Sequence, residues 1–324
     1  MQKEYNQRQE AKTRAEHLTP ADLRKFVADR IKQHNSNANL TVLEPAIGSG
    51  QMAFDFNEQI SHIDGYDVSE QALKVAKENF QDKLTAFHQD FITSKIDKEF
   101  DIALANYPFS LPPTEEQKEF ISNDPFLKQF YDKNQKEQNG LIDFNELTSN
   151  VKANDVNGKL DFVFILKSFF YAKEGYYLAF PGIGYRSQEL NFRKYLIDNK
   201  LIKEIGQINN AGFENTTISI LYIHLTKEPN EKTKSFTLDL KTNEMLEGFA
   251  TFENYTFDYP RKEAIKEYID PVALEKEIRE SVIKNLVNEI EASRRVYEID
   301  AELRYKLPTI EEWKQEIIKA VREC

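Results

Sequence analysis

A chain of 324 residues, 40% hydrophobic and 12% aromatic, has enough apolar material for one large or two smaller globular domains, which excludes a disordered polymer. Its one cysteine, Cys324, excludes a disulfide framework, a cysteine-ligated zinc site and an internal thiol nucleophile, so a reducing, cytoplasmic setting is expected. A formal net charge of −11 argues against a surface coated in basic groups for nucleic acid, and leaves room for a local basic cleft or a partner that supplies one.

The first segment, "MQKEYNQRQEAKTRAEH", is polar throughout, and the most apolar run, "DFVFILKSFFYA", is short and interrupted by Lys167. Neither a secretion signal nor a membrane span is expected. Thr19 followed by Pro20 predicts a helix over "ADLRKFVADRIKQ", with a hydroxyl N-cap and proline at the first helical position. Between residues 40 and 226, short apolar runs then alternate with amphipathic stretches, the pattern of an α/β fold with a mainly parallel sheet. "NLTVLEPAIGSGQM" runs from a strand (Leu40 to Leu43) into a glycine turn, after which "QMAFDFNEQI" can start a helix. "SHIDGYDV" reads as the second strand, and Ser69 can cap a helix through "EQALKVAKENF". Further strands are expected at "LTAFHQD", "FDIALA", "GYYLAFP", "LIKEIGQI" and "TTISILYIHL", and helices at "LDFVFILKSFFYAK" and "SQELNFRKYLIDN". That makes about seven strands.

Two regions break the rhythm. Residues 111–159 are polar and poorly periodic, and read as an insertion at the working edge. From "KEPNEKTK" the composition shifts towards charged helix, with Leu274, Ile278, Val282, Leu286 and Ile290 forming an apolar stripe that needs a partner. The expected division is a catalytic domain over 1–227 and a smaller, mainly helical region over 228–324 for contact with a partner or DNA.

Chemistry-bearing residues sit where the strands end. In "EPAIGSG" small residues let the backbone approach a ligand at the head of a parallel sheet, although a turn that is only a turn also needs glycine. Asp67, at the end of the second strand, is suited to ribose hydroxyls or is a plain surface acid; with the glycine turn it favours a nucleoside cofactor. At the end of the third strand, Asp90 can bind an exocyclic amine and Phe91 can stack on a base. The fourth strand ends at "ANYPF".

With that tetrapeptide in place, the chain resembles the class I S-adenosylmethionine-dependent methyltransferases, in particular the DNA adenine-N6 enzymes close to the modification subunits of type I restriction systems. The resemblance spans roughly residues 15–226. "LTP" (Leu18 to Pro20) resembles the family's N-terminal cofactor motif, "EPAIGSG" its Asp-Pro-Ala-Cys-Gly-Ser-Gly motif, "YDVSEQAL" the acid-bearing second motif and "HQDF" the third. "NYPF" resembles the Asn-Pro-Pro-aromatic catalytic motif, with tyrosine in place of the first proline. "GYYLAFPGIGYRSQELNFRKYLIDN" and "AGFENTTISILYI" resemble later family segments. The resemblance implies a Rossmann-like seven-stranded methyltransferase sheet with flanking helices, and S-adenosyl-L-methionine as cofactor. It places Thr19 at the methionine part, Gly48 and Gly50 along the amino acid and ribose, Asp67 at the ribose, and Asp90 and Phe91 at the adenine, with Glu44, Pro45, Ala46, Val68 and Asn106 also at the cofactor. Catalysis would fall to Asn106, Tyr107, Pro108 and Phe109.

A physical argument supports the last assignment. A base amine is a poor nucleophile because its lone pair is delocalised into the ring, and two acceptors on its N–H groups would free that pair. The Asn106 side-chain oxygen and the Tyr107 carbonyl can serve, while Pro108 stiffens the turn and Phe109 stacks on an extruded base. Methyl transfer in line needs positioning rather than a tuned general base. Cytosine-C5 chemistry lacks its cysteine, and cytosine-N4 enzymes of this group usually carry serine where Asn106 stands. The expected substrate is therefore double-stranded DNA with a flipped adenine, in a restriction-modification or phage-related setting, with a specificity subunit or a second copy as partner. RNA or protein-glutamine N-methylation stays open, as does a catalytically weakened module that binds cofactor or partner. Phe213 is either a second wall of the base pocket or a core aromatic before a hairpin. The five histidines, His17, His34, His62, His88 and His224, read as structural, and no metal site is expected from their spacing.

Overall fold

The structure, a computed structural model, describes residues 18–36, 39–131, 151–212 and 219–261, with strand assignments also at 137–138 and 141–142. All belong to the first of two compact units, Met1–Lys262 and Glu263–Cys324. Phe213, His17 and the stripe from Leu274 to Ile290 lie outside the described residues.

Helix α1 (Ala21–His34) buries Leu23, Val27, Ala28 and Ile31, one stripe at helical spacing. Its start departs from expectation. Pro20 itself stands at the N-cap and no side chain caps the helix, because the Thr19 hydroxyl is engaged by Asn106 instead. Strand β1 (Leu40–Glu44) leads through the glycine turn into Gln51–Gln59, which forms tight 3₁₀ turns kinked at Phe56 rather than an α-helix. Met52, Ala53, Phe54 and Phe56 are all buried there, so the segment is wedged into the core and lacks the single apolar stripe that would favour a regular helix. Strand β2 (Ile60–Asp67) follows, then α2 (Glu70–Phe80), whose N-cap Ser69 accepts from the Ala72 N–H at 3.3 Å as expected. Next come β3 (Leu84–His88), β4 (Phe100–Asn106), α3 (Glu115–Asn123), α4 (Asp161–Phe170), β5 (Ala172–Ala179), α5 (Leu190–Asp198), β6 (Ile202–Asn209) and β7 (Ile220–Thr226).

These seven strands correspond to the seven expected from sequence. Two more, β8 (Lys234–Asp239) and β9 (Glu244–Phe249), extend the same sheet beyond residue 227. The order is β9-β8-β6-β7-β5-β4-β1-β2-β3, with β7 antiparallel to β5 and β6 and β9 antiparallel to β8. The extension follows from "KSFTLD", in which Phe236 and Leu238 alternate into the core at 1% and 2% exposure.

Helices cover both faces, so the central strands are apolar on both sides. On β4, Ile102 and Leu104 join the core under α1 and α2, while Ala103 and Ala105 join the core under α4 and α5. Strand order reverses between β1 and β4, and the crevice outside the carboxyl ends of strands at such a switch point is where doubly wound sheets bind ligands. Among the described residues, no helix is long and apolar enough to cross a membrane.

The glycine turn depends on one residue in particular. Gly50 has φ +82°, and a Cβ there would lie 2.3 Å from the Phe80 ring. Gly50→Ala should cost about 2–3 kcal/mol, the sum of a left-handed backbone and an overpacked contact, read as a lower urea midpoint at unchanged slope.

Candidate cofactor and amine site

A cavity of about 520 Å³ opens at the carboxyl ends of β1 to β4, in the size range of small-molecule sites. Thr19, Glu44, Pro45, Ala46, Gly48, Asp67, Val68, Asp90, Phe91, Asn106, Tyr107, Pro108 and Phe109 all line it. Gly50 does not; it packs against Phe80 and shapes the turn from behind.

The glycine turn is held in place by hydrogen bonds to the next strand. The Ile47 N–H donates to the Tyr66 carbonyl at 2.9 Å, and the Gly48 N–H donates to Asp67 Oδ2 at 2.8 Å. Asp67 Oδ1 accepts from the Ser69 N–H at 2.7 Å, so its carboxylate is fixed at both oxygens. Gly48, at φ +54°, has open space where a Cβ would stand, so the backbone itself borders the cavity.

The wall of the cavity at the end of β4 is built around Asn106, the last residue of that strand. Its Nδ2 donates to Thr19 Oγ1 at 2.8 Å, which leaves Oδ1 as the other end of the amide. Asn106 Oδ1 is buried and has no hydrogen-bond partner among the described residues. Thr19 is in turn anchored: its N–H donates to Gln51 Oε1 at 2.9 Å, and its carbonyl accepts from Arg24 at 3.1 Å. A buried acceptor without a donor is costly unless a ligand supplies one, and an amine N–H is such a donor.

Tyr107, the residue that departs from the family motif, packs its ring into the core against Phe164 and Phe109. It is 1% exposed, parallel to Phe164 at 5.5 Å and edge-on to Phe109 at 5.9 Å. The ring fills core volume that a proline would leave empty, and burial holds its hydroxyl well above the usual phenol range. The turn closes at Ser110, whose left-handed backbone (φ +59°) donates its N–H to Asp161 Oδ2 at 3.0 Å from the start of α4. Phe91, expected to stack on a base, is 2% exposed, edge-on to Tyr66 and parallel to Phe164 at 6.1 Å. Its ring therefore belongs mostly to the core.

Asp90 accepts from the Ile92 N–H at 3.0 Å and from Gln117 Nε2 at 2.9 Å. Gln117 lies in the 111–159 segment, where Thr114 and Gln117 form a reciprocal capping box at the start of α3. Sequence reading did not single out Gln117, although Thr-Glu-Glu-Gln before an apolar position is the signature of that box. Gln51, Gln89 and Glu116 also line the cavity and were also missed; isolated polar residues carry no such pattern. Behind the Asp90 loop, Lys167 donates to the carbonyls of Ile92 and Ser94, both at 2.6 Å, with its ammonium 4.5 Å above the Phe120 ring. Burial lowers its pKa to about 8.

Glu44, Asp67, Asp90 and Glu116 make the cavity acidic, which suits a ligand with positive groups. Glu44 is 1% exposed, and its Oε2 has no hydrogen-bond partner among the described residues. An ammonium is the donor that position lacks.

The chain belongs to the N-6 DNA methylase family, whose model matches residues 3–299. Members of that family depend on S-adenosylmethionine. Solved structures share the fold at low identity. The type I restriction-modification methyltransferase subunit of Streptococcus thermophilus is 16% identical with a TM-score of 0.54, covering 75% of this chain and 50% of its own. A Listeria monocytogenes protein assigned as a class I S-adenosylmethionine-dependent methyltransferase is 18% identical at TM-score 0.50, covering 68% and 65%. A Vibrio vulnificus protein assigned as the modification subunit of a type I restriction enzyme is 11% identical at 0.51, covering 76% and 59%. The match thus spans between 50% and 65% of these three chains. No curated protein sequence matches the chain.

Burial, and then the nearby Asp67, hold the Glu44 carboxyl well above its ordinary value of 4.5. A raised folded-state pKa means the folded chain retains a proton the unfolded chain has lost. The stability it contributes is therefore full below about 4.5 and declines as pH rises through the folded value. Glu44→Gln removes that decline: with no ligand added, the variant should melt above wild type at pH 8, and the gap should narrow towards pH 5.

Proposed function

We propose that this chain transfers a methyl group from S-adenosyl-L-methionine to the N6 amine of adenine in DNA, within a restriction-modification or phage-related system. The observation that carries this reading is the Asn106 amide at the cavity wall, held by Thr19 through Nδ2, with a buried Oδ1 that has no partner among the described residues.

The residues fit the cofactor. Glu44 offers its unsatisfied oxygen to the ammonium of the methionine part, beside Thr19 and the open backbone at Gly48. Asp67 is fixed by two backbone donors and keeps lone pairs for ribose hydroxyls, and Asp90 faces the adenine amine. When bound, the cofactor supplies a methyl group activated on a sulfonium. The protein's own part is positional: Asn106 Oδ1 and the Tyr107 carbonyl accept the two N–H groups of the substrate amine and shift electron density onto its nitrogen. Phe109, half-buried at the cavity wall, is the stacking surface for a base extruded from the duplex. The fixed geometry supplies the rate by holding the reacting atoms in line.

Residues 1–227 form the catalytic domain in this reading, and 228–324 contact a specificity subunit, a second copy or DNA. With a net charge of −11, the phosphate-binding surface is left to a local basic cleft or to a specificity subunit.

Labelled methyl transfer to unmethylated DNA, with and without a candidate specificity subunit, tests the proposal. Asn106→Ala should lower turnover by about 100-fold or more while cofactor affinity stays within a few-fold, as for loss of a contact made to the reacting group. Thr19→Val, which leaves Asn106 in place but frees its amide, should lose roughly tenfold in turnover. Label in RNA or in a protein glutamine instead of DNA would overturn the substrate assignment, and cofactor binding without label in any acceptor would leave a binding module.

A further inference from the structure

Far from the cavity, at the amino-terminal end of β5, three side chains from three elements meet. They are His34 at the end of α1, Glu204 on β6 and His224 on β7. Each offers one ligand atom, and these atoms all lie within 4.8 Å of one another. His34 Nε2, Glu204 Oε2 and His224 Nδ1 are buried and have no hydrogen-bond partner among the described residues. Three neighbouring side chains with buried polar atoms that lack a partner are an expensive arrangement for a core.

We propose that His34, Glu204 and His224 bind a divalent transition metal ion, zinc before others, as a structural clamp between α1 and the sheet. Two imidazoles and a carboxylate are a zinc ligand set, and the fourth position can be taken by water. Bonds of about 2.1 Å put tetrahedral ligand atoms roughly 3.4 Å apart, so small side-chain rotations close the site.

The second layer is already present. His224 Nε2 lies 3.0 Å from Glu174 Oε2, and donation there leaves the Nδ1 lone pair for the metal. A carboxylate behind a histidine ligand is the usual support for such a site. Glu174 is fixed in turn by the Tyr176 hydroxyl at 2.7 Å, and the Tyr176 ring stacks on His224 at 4.2 Å. Arg30 holds Glu204 by its other oxygen, Oε1, at 3.3 Å. His34 is only half-buried, which gives an ion a way in.

Helix α1 carries the consequence. Its first turn follows Thr19, which orients Asn106, and its last residue is His34. A metal at His34 would fix the far end of the helix that begins at the active site. The inference does not depend on the methyl-transfer reading.

The test uses untagged, full-length protein stripped with chelator, reloaded with zinc and dialysed. Wild type should retain about one equivalent by elemental analysis and melt roughly 5 °C higher than the stripped form. His34→Gln, at the partly exposed helix end, and Glu204→Gln should each lose the equivalent and the shift while keeping the wild-type circular dichroism. His62→Gln, on β2, should keep both. Wild type that retains no zinc and shows no shift overturns the site, as does retention that survives His34→Gln and Glu204→Gln together.

Discussion

The contact between Asn106 Nδ2 and Thr19 Oγ1, 2.8 Å long, is the constraint on which the site turns. An amide has a donor end and an acceptor end, and with Nδ2 engaged by the hydroxyl it is the oxygen that is left for another partner. To put Thr19 there, α1 must start without a hydroxyl cap, with Pro20 at the N-cap. The helix gives up a local hydrogen bond worth about 1 kcal/mol so that a longer-range one can set the amide. Gln51 and Arg24 hold the Thr19 backbone, and they connect the contact to the glycine turn and to α1 itself.

Buried charge around the cavity has a similar character. Glu44 is desolvated and lacks a donor at Oε2, which burdens the empty fold and equips it for a cationic ligand. Asp67 and Asp90 are treated differently: each carboxylate is held at both oxygens by donors from the protein and so keeps its orientation before any ligand arrives. Lys167, the charge that interrupts the most apolar stretch of the chain, is spent on two loop carbonyls behind Asp90. Its ammonium ties that loop to α4.

Much of this was legible in the sequence because the motifs lie at strand ends. Glu44, Asp67, Asp90 and Asn106 close or follow β1, β2, β3 and β4, and parallel strands necessarily bring their carboxyl ends to one edge. At the site, some expectations came out differently. Thr19 caps nothing, and Gly50 supports the turn without facing the cavity. The tyrosine of "NYPF" turns into the core against Phe164, which a reading of the tetrapeptide alone had no way to register.

By itself the sequence determined the alternation of strand and helix, the seven-strand core and the set of residues gathered at its edge, because apolar periodicity and turn chemistry act over a few neighbours. Tertiary structure alone decided which side chains pair: Thr19 with Asn106 across 87 positions, Gln117 with Asp90 across 27, and His34 with His224 in a cluster whose ring centroids lie 4.7 Å apart. Such pairs depend on how elements stack across the sheet, and no local spacing encodes that distance. The two strands beyond residue 227 make the same point, since whether a strand joins an edge depends on the edge it finds, here β6.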